Sequence, residues 1–232
     1  MTESEIIDSG SDRRGFMKGA AVTAAAVGAG ALATGTANAA GVEALGKGQP
    51  LPFPFPIPPI GVDIPCSCYA ANVPLNINVL GVVNCDFKGG IDICVRAFTN
   101  NVVELEIVGH KVVCEIPGLR ITIEQSDTQI TPLSLLQINP GSGLFPVPFP
   151  EMIVKLLFTL TIQQLDSSGN PTGTPTVLST DPTNPAVLSS GALTSFPPTN
   201  QGYTLTKAIP LLDQNGNQAG MLNGFPVNVN QA

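Results

Sequence analysis

The chain has 232 residues, a formal net charge of −7 and only 12% charged residues, with glycine and proline together at 46 positions. Beyond residue 39 its 13 acidic and 7 basic residues leave a net charge near −6, which excludes the basic footprint of a nucleic-acid binder or of a protein drawn to anionic membranes. Few charges and much Gly and Pro also argue against long surface helices, because exposed helical faces are normally filled with Lys, Glu, Ala and Arg.

The N-terminus falls into three parts. A polar stretch ends in Ser11-Asp12-Arg13-Arg14-Gly15-Phe16-Met17-Lys18, an Ala/Gly-rich apolar run follows from Gly19 to about Thr36, and Ala37-Asn38-Ala39 offers small residues at the positions a signal peptidase reads. Arg13, Arg14, Phe16 and Lys18 in this order resemble the twin-arginine (Tat) export signal, with Asp12 and Met17 as mild departures. Ala and Gly gain little from hydrocarbon, so the apolar run reads as a cleaved signal over residues 1–39 rather than a membrane anchor. The resemblance implies export of a folded chain to the periplasm, the cell surface or the medium. No membrane span is expected after cleavage.

Residues 40–65 read as an extended arm. In Leu51-Pro52-Phe53-Pro54-Phe55-Pro56-Ile57-Pro58 proline alternates with apolar residues, so one edge of an extended segment lacks donors. Phe53, Phe55 and Ile57 favour packing onto the domain over a solvated polyproline linker. The device recurs at Phe145-Pro146-Val147-Pro148-Phe149-Pro150.

From residue 66 to 232 the pattern is that of a single β domain. Val73, Leu75, Ile77 and Val79 share one face, Val103, Leu105 and Ile107 another, then Leu119, Ile121 and Ile123, and finally Val154, Leu156, Phe158, Leu160 and Ile162. Gly89-Gly90, Asn100-Asn101 and Pro117-Gly118 punctuate these runs as turns. Short alternating strands at this spacing predict a mainly β fold, an antiparallel β-sandwich of immunoglobulin-like or similar type, with few or no long helices. The C-terminal third is looser. Leu165-Asp166-x-x-Gly169-Asn170-x-x-Gly173 returns as Leu212-Asp213-x-x-Gly216-Asn217-x-x-Gly220, a turn pattern that lacks the carboxylates of a calcium loop. Residues 179–200 read as a long loop broken by a short strand at Ala192 to Phe196.

Five cysteines, Cys66, Cys68, Cys85, Cys94 and Cys114, occupy one window. In an exported chain they are disulfide candidates, two bridges with one thiol left over to cross-link molecules or stay free. With the only histidine, His110, the same residues are metal-ligand candidates, although no CxxC pair occurs and the spacings match no zinc or iron–sulfur pattern. No cofactor is predicted.

A catalyst is harder to find. No Gly-x-Ser-x-Gly elbow accompanies His110, which follows Gly109 between two β runs and reads as a turn or strand-end residue. Glu104 and Glu106 have the spacing of a carboxylate pair, but an alternating polar face explains them equally well. Trp is absent and Tyr is limited to Tyr69 and Tyr203, so sugar stacking has little support. The expected function is thus non-enzymatic: a structural, adhesive or binding module whose partners are itself or other surface components. The alternatives are a metal- or cofactor-binding protein using the Cys66–Cys114 cluster, and a hydrolase with an unrecognised acidic site.

Overall fold

The computed structural model of the protein describes residues 53–99, 101–140 and 148–232. The export-signal residues Arg13, Arg14, Phe16 and Lys18 therefore lie outside the described residues. Thirteen strands follow in order: β1 (Asp63–Ile77), β2 (Gly81–Thr99), β3 (Val102–Ile116), β4 (Leu119–Gln125), β5 (Ser134–Asn139), β6 (Phe149–Leu156), β7 (Phe158–Leu165), β8 (Pro171–Ser179), β9 (Ala186–Ser189), β10 (Gln201–Leu205), β11 (Ile209–Leu212), β12 (Gln218–Leu222) and β13 (Val227–Gln231). Every pairing is antiparallel, and no helix occurs among the described residues. The expected β-sandwich character holds, but its walls are hydrogen-bonded into one 13-stranded sheet.

Two extra pairings make that sheet close on itself. β12 meets β1 at Leu75↔Leu222, and β5 meets β3 at Leu105↔Ser134. Each contact completes a circuit of eight strands, and the two circuits share β1, β2 and β3. These three are 15, 19 and 15 residues long, enough to run through both circuits. The longest apolar run divides between them. It breaks at buried Leu157, so that β6 joins β5 and β9 while β7 joins β4 and β8. Closure removes most free edges, which a chain so poor in edge lysines needs.

Strands this long follow a closed wall only if they bend, and here bulges supply the bends. On β1 the inward residues are Ile64, Cys66, Cys68 and Ala70, then Val73, Leu75 and Ile77. The change from even to odd numbers occurs at a register shift around Asn72, whose φ is 52° and whose amide donates to Asp86 Oδ1 at 2.8 Å. On β3 the inward set is Val103, Leu105 and Ile107, then His110, Val112 and Cys114, with the ladder slipping between Asp92 and Ile93 of β2. Val79, expected on the first strand face, instead lies in the β1–β2 turn and is 73% exposed.

The arm does pack. Phe53, Phe55 and Ile57 lie against the core, with the Phe53 ring 6.0 Å from Phe55 and 6.2 Å from Phe98. The first half of the second proline-rich run lies outside the described residues, and its end, Phe149-Pro150, opens β6. The repeated Leu-Asp motifs form two matching hairpin turns, β7–β8 and β11–β12. In each, the Asp carboxylate accepts two backbone amides, Ser168 and Asn170 for Asp166, Asn215 and Asn217 for Asp213, at 2.8–2.9 Å. Gly169 and Gly216 take φ of about 80° there, which glycine adopts without strain. Those amides hold both carboxyls below their ordinary range. In the loop region the short strand is β9 at Ala186–Ser189, while 192–196 has no strand.

Candidate functional site

The disulfide framework expected of the cysteine window is not formed: all five cysteines are free, buried thiols. Their positions explain why. Cys66 and Cys68 alternate with Ser67 on β1, Cys85 faces inward from β2 and Cys114 from β3, so four of the five are packing residues of the core. Cys94 faces away from that core, across the ladder from Asp63. Cys85 and Cys114 are side-chain neighbours whose free thiols interact through a hydrogen bond. Burial pushes Cys66 up to about 11, and Cys68 and Cys85 each to about 12. Such groups are thiols at any physiological pH, poor as nucleophiles and as metal ligands.

The metal reading fares no better. Among the described residues no group of three or more His, Cys, Asp or Glu side chains converges on a point where an ion could sit. The candidates Cys66, Cys68, Cys85, Cys94, Cys114 and His110 are thus spread along three strands rather than gathered. Glu106 is ion-paired with Arg96 on the exposed face, beside its strand neighbour Glu104. Neither carboxylate lines any of the pockets described below.

His110 is where the structure departs most from expectation. It is neither in a turn nor at a strand end. The β3 bulge at Val108-Gly109 turns it inward, opposite Ile91, and leaves it 5% exposed. Burial alone holds its pKa down at about 4, so the imidazole is neutral at pH 7.

The other buried polar side chains are hydroxyls, and each has a partner. Ser190 Oγ accepts the Met152 amide at 2.9 Å, Ser134 Oγ the Lys155 amide at 3.0 Å and Thr180 Oγ1 the Phe158 amide at 3.0 Å. Ser126 shares a hydrogen bond with Thr128 at 3.3 Å. His110 Nδ1 has none, a condition it shares with Gln125 Oε1 and Gln129 Oε1 among the described residues.

Two voids flank the imidazole. One, of about 20 Å³, is bounded by residues including Cys68, Ile91, Ile93, Met152 and Tyr203 in the β13–β5 circuit. The other, of about 10 Å³, is bounded by residues including Ile123, Phe158, Ala186, Leu205 and Leu222. His110, Leu156, Leu188 and Phe225 are common walls of both. Tyr203, 2% exposed, spends its hydroxyl on Met152 Sδ at 3.2 Å, so among the side-chain nitrogens and oxygens of either lining only His110 Nδ1 is buried without a partner. The signal that could have located it was the histidine that, with Lys111, interrupts the otherwise apolar run Ile107 to Val113. Its inward phase depends on a bulge the pattern does not announce.

No family model matches the chain, and neither does any curated protein. Among solved structures it is similar to DynF from the dynemicin biosynthesis pathway of Micromonospora chersina. The TM-score is 0.52 at 19% identity, over 82% of this chain and 92% of that one, a likeness of fold.

Proposed function

We propose that this protein is exported by the twin-arginine route and acts beyond the cytoplasmic membrane as a non-enzymatic binding protein, holding a small, largely apolar molecule in its interior at His110. The observation that carries this reading is the unpartnered Nδ1 of a histidine whose ring borders two apolar voids. A buried polar atom without a partner costs about 1–3 kcal/mol and calls for a reason. A ligand carrying one hydroxyl or similar group supplies that partner, while its apolar body replaces the voids. As they stand the voids admit about one water-sized group. A larger ligand therefore requires Leu156, Leu188 and Phe225 to change rotamer and join them. Neutral imidazole, shielded thiols and the absence of a converging acid or metal cluster among the described residues favour binding over turnover.

The experiment is a comparison of naphthalene and 1-naphthol by fluorescence titration. An interior site binds both and prefers 1-naphthol by about tenfold, one hydrogen bond's worth. His110→Leu should keep naphthalene binding and lose the preference. Binding of neither compound, or an equal preference in the variant, sinks the reading. Export is tested separately: Arg13→Lys with Arg14→Lys should leave the precursor in the cytoplasm, and normal export of that variant overturns the Tat assignment.

A further inference from the structure

We propose a second binding site, for the ring of a neutral sugar, on the outer face of β1 and β13. A solvent-facing hollow of about 360 Å³ opens there, lined by Ser67, Cys68, Tyr69, Asn200, Asn228 and Asn230. That volume lies within the range of small-ligand sites, about 300–1,000 Å³. The inference stands apart from the interior reading, since Ser67, Tyr69, Asn228 and Asn230 alternate with the inward core residues of their strands and face the other way, and only Cys68, itself inward, borders both spaces.

The ladder assembles the hollow. Tyr69 pairs with Asn228 and Ser67 with Asn230, so two polar cross-strand pairs sit side by side on one face. Beyond β13, Asn228 pairs with Gly202 of β10, whose absent side chain leaves open space beside the amide. Asn200, at φ 50°, donates its backbone amide to Asn230 Oδ1 at 3.0 Å, which fixes that side chain and leaves its NH2 as a donor. Ser67 Oγ donates to the Asn230 carbonyl at 3.2 Å and keeps its lone pairs. The Asn228 side chain has no hydrogen-bond partner among the described residues.

The chemistry points to a polyol with an apolar face. Amides and a hydroxyl give and accept hydrogen bonds as sugar hydroxyls do, and no charged side chain lines the hollow. Tyr69 is 44% exposed. Its ring is braced by the Lys88 ammonium, 5.9 Å from the centroid, which lies on the β2 side of β1 while the hollow lies on the β13 side. A braced phenol beside uncharged amides is a stacking wall for the C–H face of a pyranose.

The test uses the full exported protein, isotope-labelled, titrated with methyl glycosides of glucose, mannose, galactose and N-acetylglucosamine and with the matching oligosaccharides. The expected result is a Kd on the order of 1 mM for at least one methyl glycoside, with amide shifts confined to Ser67–Tyr69, Asn200 and Asn228–Asn230. An oligomer that binds at least about tenfold tighter than its monomer identifies a polysaccharide as the source; equal affinity identifies a free sugar. Tyr69→Ala should weaken binding about tenfold, Tyr69→Phe should retain it, and Asn228→Ala should weaken it without moving the melting temperature. No response to any glycoside, shifts elsewhere on the protein, or unaltered affinity in both Tyr69→Ala and Asn228→Ala would overturn the proposal.

Discussion

Replacing His110 by leucine should remove a pH dependence of stability. The folded pKa of about 4 lies below the ordinary 6.5, so between these values the unfolded chain binds a proton that the folded chain refuses. Stability is therefore full above pH 6.5 and falls as the pH drops towards 4. The gap of roughly 2.5 pH units, at about 1.36 kcal/mol each, corresponds to a loss of about 3 kcal/mol, most of it complete by pH 4.5. With a urea slope of about 2 kcal/mol per molar, the midpoint should fall by about 1 M between pH 7 and pH 4.5. Cys68 and Tyr203, the other titratable groups in the lining, are pushed upward and do not titrate in that window. Carboxylates titrate in both proteins alike, so the difference between wild type and His110→Leu isolates the imidazole. At pH 7 the variant should also be more stable by about 1–2 kcal/mol, because the orphaned Nδ1 is gone. Equal pH slopes in the two proteins would refute the buried, neutral assignment.

Three further outcomes follow from the geometry. The intact mass of the mature protein should correspond to five reduced cysteines, slow to alkylate at pH 8 in the native state and rapid after denaturation; a loss of four hydrogens would contradict the buried-thiol arrangement. Gly89→Ala should cost at least about 3 kcal/mol in chemical denaturation, because the added Cβ would lie 1.9 Å from the Lys111 carbonyl oxygen, whereas Gly224→Ala, with open space around it, should stay within about 0.5 kcal/mol. Asp166→Ala and Asp213→Ala should each lower the melting temperature at pH 7 and lose that effect well below pH 3.8, since amide hydrogen bonds depress both carboxyls; an unchanged melting temperature for both would show that the turns do not depend on them.

Much of the fold was legible because a strand with one buried face writes its period into the sequence. Val103, Leu105, Ile107, Ile121 and Ile123 all face the core as their alternation demands. The twin Leu-Asp turns were legible for a similar reason, since Gly and Asn at fixed offsets encode local backbone geometry. What alternation does not carry is its own interruption. A single extra residue near Gly109 reverses the phase of β3, and the histidine expected at a strand end becomes a core residue.

The cysteines misled in another way. Clustering in sequence suggested bridges or a metal, yet Cys66, Cys68, Cys85 and Cys114 are spaced as inward residues of neighbouring strands, where small apolar side chains are wanted. Closure of the sheet depends on pairings such as Leu75↔Leu222 across most of the chain, which no local pattern encodes. The hollow at Tyr69 is equally non-local, because it needs β13 laid beside β1.

The most direct test of the interior site exploits the fact that the chain has one histidine. With histidine labelled by nitrogen-15, long-range correlation spectra report a single imidazole. At pH 5.5 an interior, unpartnered His110 should be neutral, and its Nδ1 resonance should move several-fold further on saturation with 1-naphthol, which hydrogen-bonds it, than with naphthalene, which only packs beside it. An imidazole that is protonated at pH 5.5, or an Nδ1 resonance unmoved by 1-naphthol, would contradict it.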